Sequence, residues 1–68
     1  MKDDAKKLGE NLKRIRTNKN ITQTELAETL GVDKSFVSNI ENGKTNPTLS
    51  TITNLAKALK IKVDELFK

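Results

Sequence analysis

The chain has 68 residues, 13 Lys+Arg against 9 Asp+Glu, a formal net charge of +4, and no Cys, His, Trp or Tyr. That length suits one domain spanning residues 1–68, near the lower limit at which a chain buries a self-sufficient core. The composition excludes a disulfide scaffold, a thiolate or imidazole metal site and an imidazole base, so neither a metal nor a cofactor is expected.

No stretch approaches the roughly 20 apolar residues of a membrane span, so no membrane partner is expected. The opening Met1-Lys2-Asp3-Asp4-Ala5 lacks the apolar run of a signal peptide, so a cytoplasmic location is expected. The basic balance favours a polyanionic partner, but net charge bears on association rather than fold, so the argument passes to where residues sit.

The pattern is helical throughout, interrupted by Pro47 and by Gly9, Gly31 and Gly43. Ala5, Leu8, Leu12 and Ile15 share one face of a first helix over about residues 4–18. Gly9, inside it, is expected to weaken it by ~1 kcal/mol relative to Ala. Thr22-Gln23-Thr24-Glu25 reads as a capping box that opens a second helix, with Leu26, Ala27 and Leu30 inward and Gly31 as a left-handed cap. Asp33 is the expected N-cap of a third helix, which runs to about Asn42 with Gly43 just beyond. Thr48 opens a fourth, striped by Leu49, Ile52, Leu55, Ala56 and Leu59. A last turn follows around Val63–Phe67, with Asp64 and Glu65 suited to a helix N-terminus. The expected fold is an all-α, five-helix bundle. Its core is drawn from Leu12, Ile15, Ile21, Leu26, Leu30, Val32, Val37, Ile40, Leu49, Ile52, Leu55, Leu59 and Leu66.

Residues 22–42 carry the functional signal. The second and third helices are joined by Gly31-Val32 with Asp33 as cap, so they must cross steeply. Ala27, four residues before Gly31, keeps that crossing small. In outline this is a helix-turn-helix. At about 100° per residue, Lys34, Ser35, Ser38, Asn39 and Asn42 fill an arc of roughly 140°, with Val37 and Ile40 on the opposite side. The outward arc is basic and amide-rich and holds no acid. A helix entering a major groove needs short donors and acceptors and must keep carboxylates away from phosphates. Asn pairs bidentately with adenine, Lys donates to guanine, and Ser bonds to either base type or to phosphate. Phe36, at the edge, either packs under the loop near Pro47 or touches a thymine methyl. Lys2, Lys6, Lys7, Lys13, Arg14 and Lys19 read mostly as solvated face, with one or two of them on DNA.

The run Thr22-Gln23-Thr24-Glu25-Leu26-Ala27, then Leu30-Gly31-Val32, Ile40-Glu41-Asn42-Gly43-Lys44, Pro47 and Leu55-Ala56-Lys57-Ala58-Leu59 resembles the Cro/C1-type (Xre-like) helix-turn-helix regulators. That family includes phage repressors and restriction–modification controller proteins, and the likeness covers about residues 8–67. It implies a five-helix, lambda-repressor-like domain that binds double-stranded operator DNA, usually as a two-fold homodimer. By position, Lys34, Ser35 and Asn39, and less surely Ser38, match base-reading residues. Thr22, Gln23, Asn42, Lys44 and Thr45 match backbone-contacting ones. Arg16 and Glu41 match a pair that forms a buried salt bridge. Two positions depart from the pattern. Lys60 stands where a glycine usually ends the fourth helix, and Lys62 stands where Ser or Thr would cap the last turn, at a cost of ~0.5–2 kcal/mol.

Leu66 and Phe67 either close the core or join a subunit contact; a mixture is expected, with a dimer seam around the fourth and fifth helices. Two copies on half-sites one helical turn apart, ~34 Å, would read an inverted repeat. RNA polymerase becomes a partner if the protein activates, with Glu25 and Glu28 as the acidic patch. An alternative is an antitoxin or other protein-interaction module whose DNA binding is autoregulatory. An enzyme is disfavoured, because no carboxylate pair, phosphate loop or nucleophile–base pair stands out.

Overall fold

The computed structural model describes residues 2–68, and side chains from Asp4 onward; the side chain of Lys2, one of the cations named above, lies outside that description. Four α-helices follow in order: α1 (Lys2–Asn18), α2 (Gln23–Leu30), α3 (Lys34–Glu41) and α4 (Leu49–Leu59). The expected fifth helix is instead a 3-10 segment, Val63–Phe67. It is five residues long, too short to gain much from α-type bonding, and its opening residue Lys62 has no side-chain acceptor to cap it. The backbone N–H of Lys62 is taken by the Glu65 carboxylate at 3.4 Å.

Helix boundaries follow local chemistry. Thr22 Oγ1 accepts from Glu25 N at 3.0 Å and Glu25 Oε1 accepts from Thr22 N at 2.9 Å, a complete capping box. Gly31 adopts φ +73°, and Val32 N–H reaches back to the Ala27 carbonyl at 3.0 Å. Thr48 Oγ1 accepts from Thr51 N at 3.2 Å. Asp33 occupies the N-cap of α3, but its carboxylate makes no cap bond; the Phe36 N–H goes to the Asp33 carbonyl at 3.0 Å. At the end of α4, Lys60 takes the left-handed conformation that glycine would adopt more cheaply, φ +58°. Ile61 N–H then donates to the Ala56 carbonyl at 3.0 Å.

The core is built from Leu8 and Leu12 of α1, Leu26 and Ala27 of α2, Val37 and Ile40 of α3, Leu55, Ala56 and Leu59 of α4, and Leu66. Ile15, Ile21, Leu30, Val32 and Ile52 pack at its margin. Leu49 does not belong to it. The α4 stripe fades outward from buried Leu55 through half-buried Ile52 to Leu49, the first residue of the helix, which is 75% exposed. Leu66 is 0% exposed, so its side chain serves the core and is not available to a subunit seam; Phe67 beside it is 41% exposed. Asn11, a buried polar residue of α1, fastens this C-terminal segment by donating to the Leu66 carbonyl at 2.9 Å.

Gly9 reverses its expected role. A Cβ there would stand 2.7 Å from the Glu41 carbonyl oxygen, and closer still to that of Ile40. The missing side chain is what lets α1 lie against the C-terminal end of α3, and that contact outweighs the propensity penalty.

Candidate nucleic-acid interface

α3 is clamped from behind. Val37 and Ile40 enter the core, and Glu41, the only acid of the helix, is turned inward to Arg16. The side chains of this ion pair are 9% and 2% exposed. Arg16 Nε donates to Glu41 Oε2, and Nη2 donates to Oε1 at 3.1 Å. Arg16 Nη1 donates to the Ile21 carbonyl at 2.7 Å, which ties the turn after α1 into the same network. Gln23 Nε2 adds a further bond to Glu41 Oε1 at 2.9 Å. No buried side-chain polar atom of the described residues lacks a partner, which is the condition under which a buried charge pair holds a geometry without a large penalty.

The opposite face of α3 has the reverse character. Lys34, Ser35 and Asn39 are exposed, and Ser38 is half-buried. Asn42, just past the helix, is exposed and donates weakly to Ser38 Oγ at 3.4 Å. The face therefore presents one ammonium, two hydroxyls and two amides, with no carboxylate. Phe36 borders it and keeps 38% of its surface exposed.

The flanking positions divide in two. Thr22 and Gln23 at the start of α2 share a recess with Lys34 and Arg16. The N-terminus of α2 supplies backbone amides there, which attract anions. Gln23 is half-buried, with one amide hydrogen committed to Glu41; its second hydrogen and its backbone N–H remain for a ligand. At the other end of α3, Asn42, Lys44 and Thr45 line a second recess with Asn46. Lys44 N–H closes the end of α3 by donating to the Asn39 carbonyl at 2.9 Å, and Gly43 is left-handed at φ +71°. Glu25, considered above for a polymerase-facing patch, spends one carboxylate oxygen on the Thr22 cap. Glu28 stays exposed.

Sequence reasoning did not find the Gln23–Glu41 bond, the anchoring of the C-terminal segment by Asn11, or the approach of α1 to the loop after α3. The first two depend on which rotamer meets which partner across a long separation. The third had a signal, the pairing of Gly9 and Gly43 on segments that come to face each other.

Among the described residues there is no cluster of acidic side chains able to hold a metal, and no helix is long and apolar enough to cross a membrane. Residues 12–66 match the helix-turn-helix family model HTH_3. Over 63 residues the chain is 36% identical to the ImmF control region 10 kDa protein of Bacillus phage phi105, covering 93% of this chain and 70% of that protein. It is 39% identical over 59 residues to the control protein C.SmaI of Serratia marcescens, covering 87% of this chain and 70% of that protein. It superposes on the restriction–modification controller protein C.AhdI from Aeromonas hydrophila with a TM-score of 0.90 and 42% identity, over 96% of this chain and 98% of that one. On the C.Esp1396I controller, solved as a tetramer in complex with its natural 35 base-pair operator, the TM-score is 0.79 at 26% identity, over 94% and 95% of the two chains. With the capping box, the left-handed Gly31 turn and the buried Arg16–Glu41 brace, these matches place the chain in the Cro/C1-type helix-turn-helix family of transcriptional regulators.

Proposed function

We propose that this protein is a sequence-specific double-stranded DNA-binding regulator that acts as a homodimer on a palindromic operator, with α3 in the major groove. The observation that carries the reading is the division of α3: its inner face is fixed by the core and the Arg16–Glu41 pair, while its outer face is exposed, polar and free of acid. Lys34, Ser35, Ser38 and Asn39 read base edges in this arrangement. Thr22, Gln23, Asn42, Lys44 and Thr45 set the register on phosphates at the two ends of the helix. The C.Esp1396I controller, which shares the fold, was solved in complex with its operator, and that supports double-stranded DNA as the partner.

Size argues for two copies. Each copy carries a single α3 on a Cα framework 28 Å along its longest axis, against ~34 Å between half-sites one helical turn apart, so one copy reads one half-site. Phe67 and Leu49, the exposed apolar side chains outside α3, are available to a subunit contact.

The test is selection of a duplex from a random pool, followed by titration of that duplex and of unselected DNA at several salt concentrations. The expected result is an inverted-repeat site bound two copies at a time, with affinity falling steeply with salt. Recovery of no preferred sequence together with a salt-insensitive titration overturns the reading. Lys44→Ala is expected to weaken all duplexes about equally and to lower the salt slope by about 1 for each bound copy.

A further inference from the structure

The recess at the C-terminal end of α3 contains a residue that the helix-turn-helix itself does not supply. Lys6, on the first half of α1, lines it together with Asn42, Lys44, Thr45 and Asn46. The approach is permitted by Gly43, where a Cβ would lie 3.2 Å from the Lys6 Cα. The ammonium groups of Lys6 and Lys44 are both on exposed side chains, and among the described side chains no carboxylate lines the recess. Glu10, one turn further along α1, is exposed outside it. Among the described residues the backbone amides of Thr45 and Asn46 donate to no carbonyl, and both residues are exposed. One open concavity is thus lined by two lysines, by Asn42 and Asn46 with their side-chain amides, and by Thr45 and Asn46 with their unspent backbone amides. That donor set matches a phosphodiester, which offers only acceptors and one negative charge.

We propose that Lys6 is a phosphate-contacting residue that brings α1 onto the DNA backbone and completes, with Lys44, a two-lysine seat for one phosphodiester at the end of the interface. This rests on the DNA-binding reading above. It enlarges the footprint beyond the helix-turn-helix by one contact that carries no base information, so it adds affinity without changing preference.

The experiment compares the salt dependence of binding for the whole chain and for Lys6→Gln, Lys44→Gln and Lys57→Gln, on the selected duplex and on a random-sequence duplex. Lys57 lies on α4 in a separate recess with Thr29, Leu30 and Asn54, and its variant removes the same charge elsewhere. Lys6→Gln is expected to lower the slope of log Kobs against log salt by about 0.9 for each bound copy, the value for one phosphate on B-DNA, hence by about 1.8 for a two-copy complex, on both duplexes and with unchanged sequence preference. Lys57→Gln should leave the slope as it was. Ethylation interference on the selected duplex should lose one phosphate per half-site in Lys6→Gln. An unchanged slope for Lys6→Gln beside a lowered slope for Lys44→Gln overturns the seat while leaving the DNA-binding reading intact. An equal drop for Lys6→Gln and Lys57→Gln also overturns it, since the effect would then be one of net charge. Absence of salt-dependent binding by the unaltered chain overturns both.

Discussion

The two faces of α3 differ in every property that the chain controls. On the inner face, Val37 and Ile40 are sealed and Glu41 is held by Arg16 and Gln23, so each atom has a defined neighbour. On the outer face, Lys34, Ser35 and Asn39 stand in solvent. The contrast assigns stability to one side of a two-turn helix and, on the function proposed above, recognition to the other. A rigid back is what allows short side chains on the front to be held at a constant depth in a groove. The two functions should therefore separate under mutation, and the sharpest tests try to mix them.

The largest expected effect lies in the brace. Glu41→Ala leaves the Arg16 guanidinium buried without its counter-charge, and is expected to lower unfolding free energy by ~3–5 kcal/mol in urea denaturation. For a domain this small, that is much of the total. A loss under 1 kcal/mol would mean that the back of α3 is not held as described.

Gly9→Ala comes next, and here two arguments give opposite signs. Helix propensity alone predicts a gain of ~1 kcal/mol. The overlap with the Ile40 and Glu41 carbonyls predicts a loss of ~1–3 kcal/mol, as overpacking pushes α1 off α3. The direction of the shift in urea midpoint decides between them. A smaller effect of the opposite kind is expected at Lys60, whose φ of +58° is costly for a side-chain-bearing residue. Lys60→Gly should raise stability by about 0.5–1 kcal/mol without altering DNA affinity.

Much of the fold is legible in the sequence. Caps and turns are local, so the Thr22–Glu25 box, the Gly31 turn and the Thr48 start of α4 follow from a few adjacent residues. The outer arc of α3 follows from helical periodicity, because Val37 and Ile40 leave it only one way to face. What failed depended on distance in the chain. Leu49 continues the α4 stripe by spacing, yet nothing covers it, because spacing says which side of a helix a residue is on and not where the neighbouring helices stop. Leu66 and Phe67 are adjacent and similar in hydropathy, and only the docking of the 3-10 segment onto α1 through Asn11 separates a core residue from a half-exposed one. Gly9 looked like a flaw because its partners, the carbonyls of Ile40 and Glu41, are some thirty residues away in the chain.

The central claim is that the outward side chains of α3 read base edges, and Asn39→Ala tests it most directly. Its affinity should be measured against the selected duplex and against each single base-pair variant of one half-site, with unfolding free energy recorded in parallel. The account predicts that discrimination collapses by ~1–3 kcal/mol at one base-pair position and persists at the others, with stability changed by less than about 0.5 kcal/mol. A discrimination profile identical to that of the unaltered protein would contradict it.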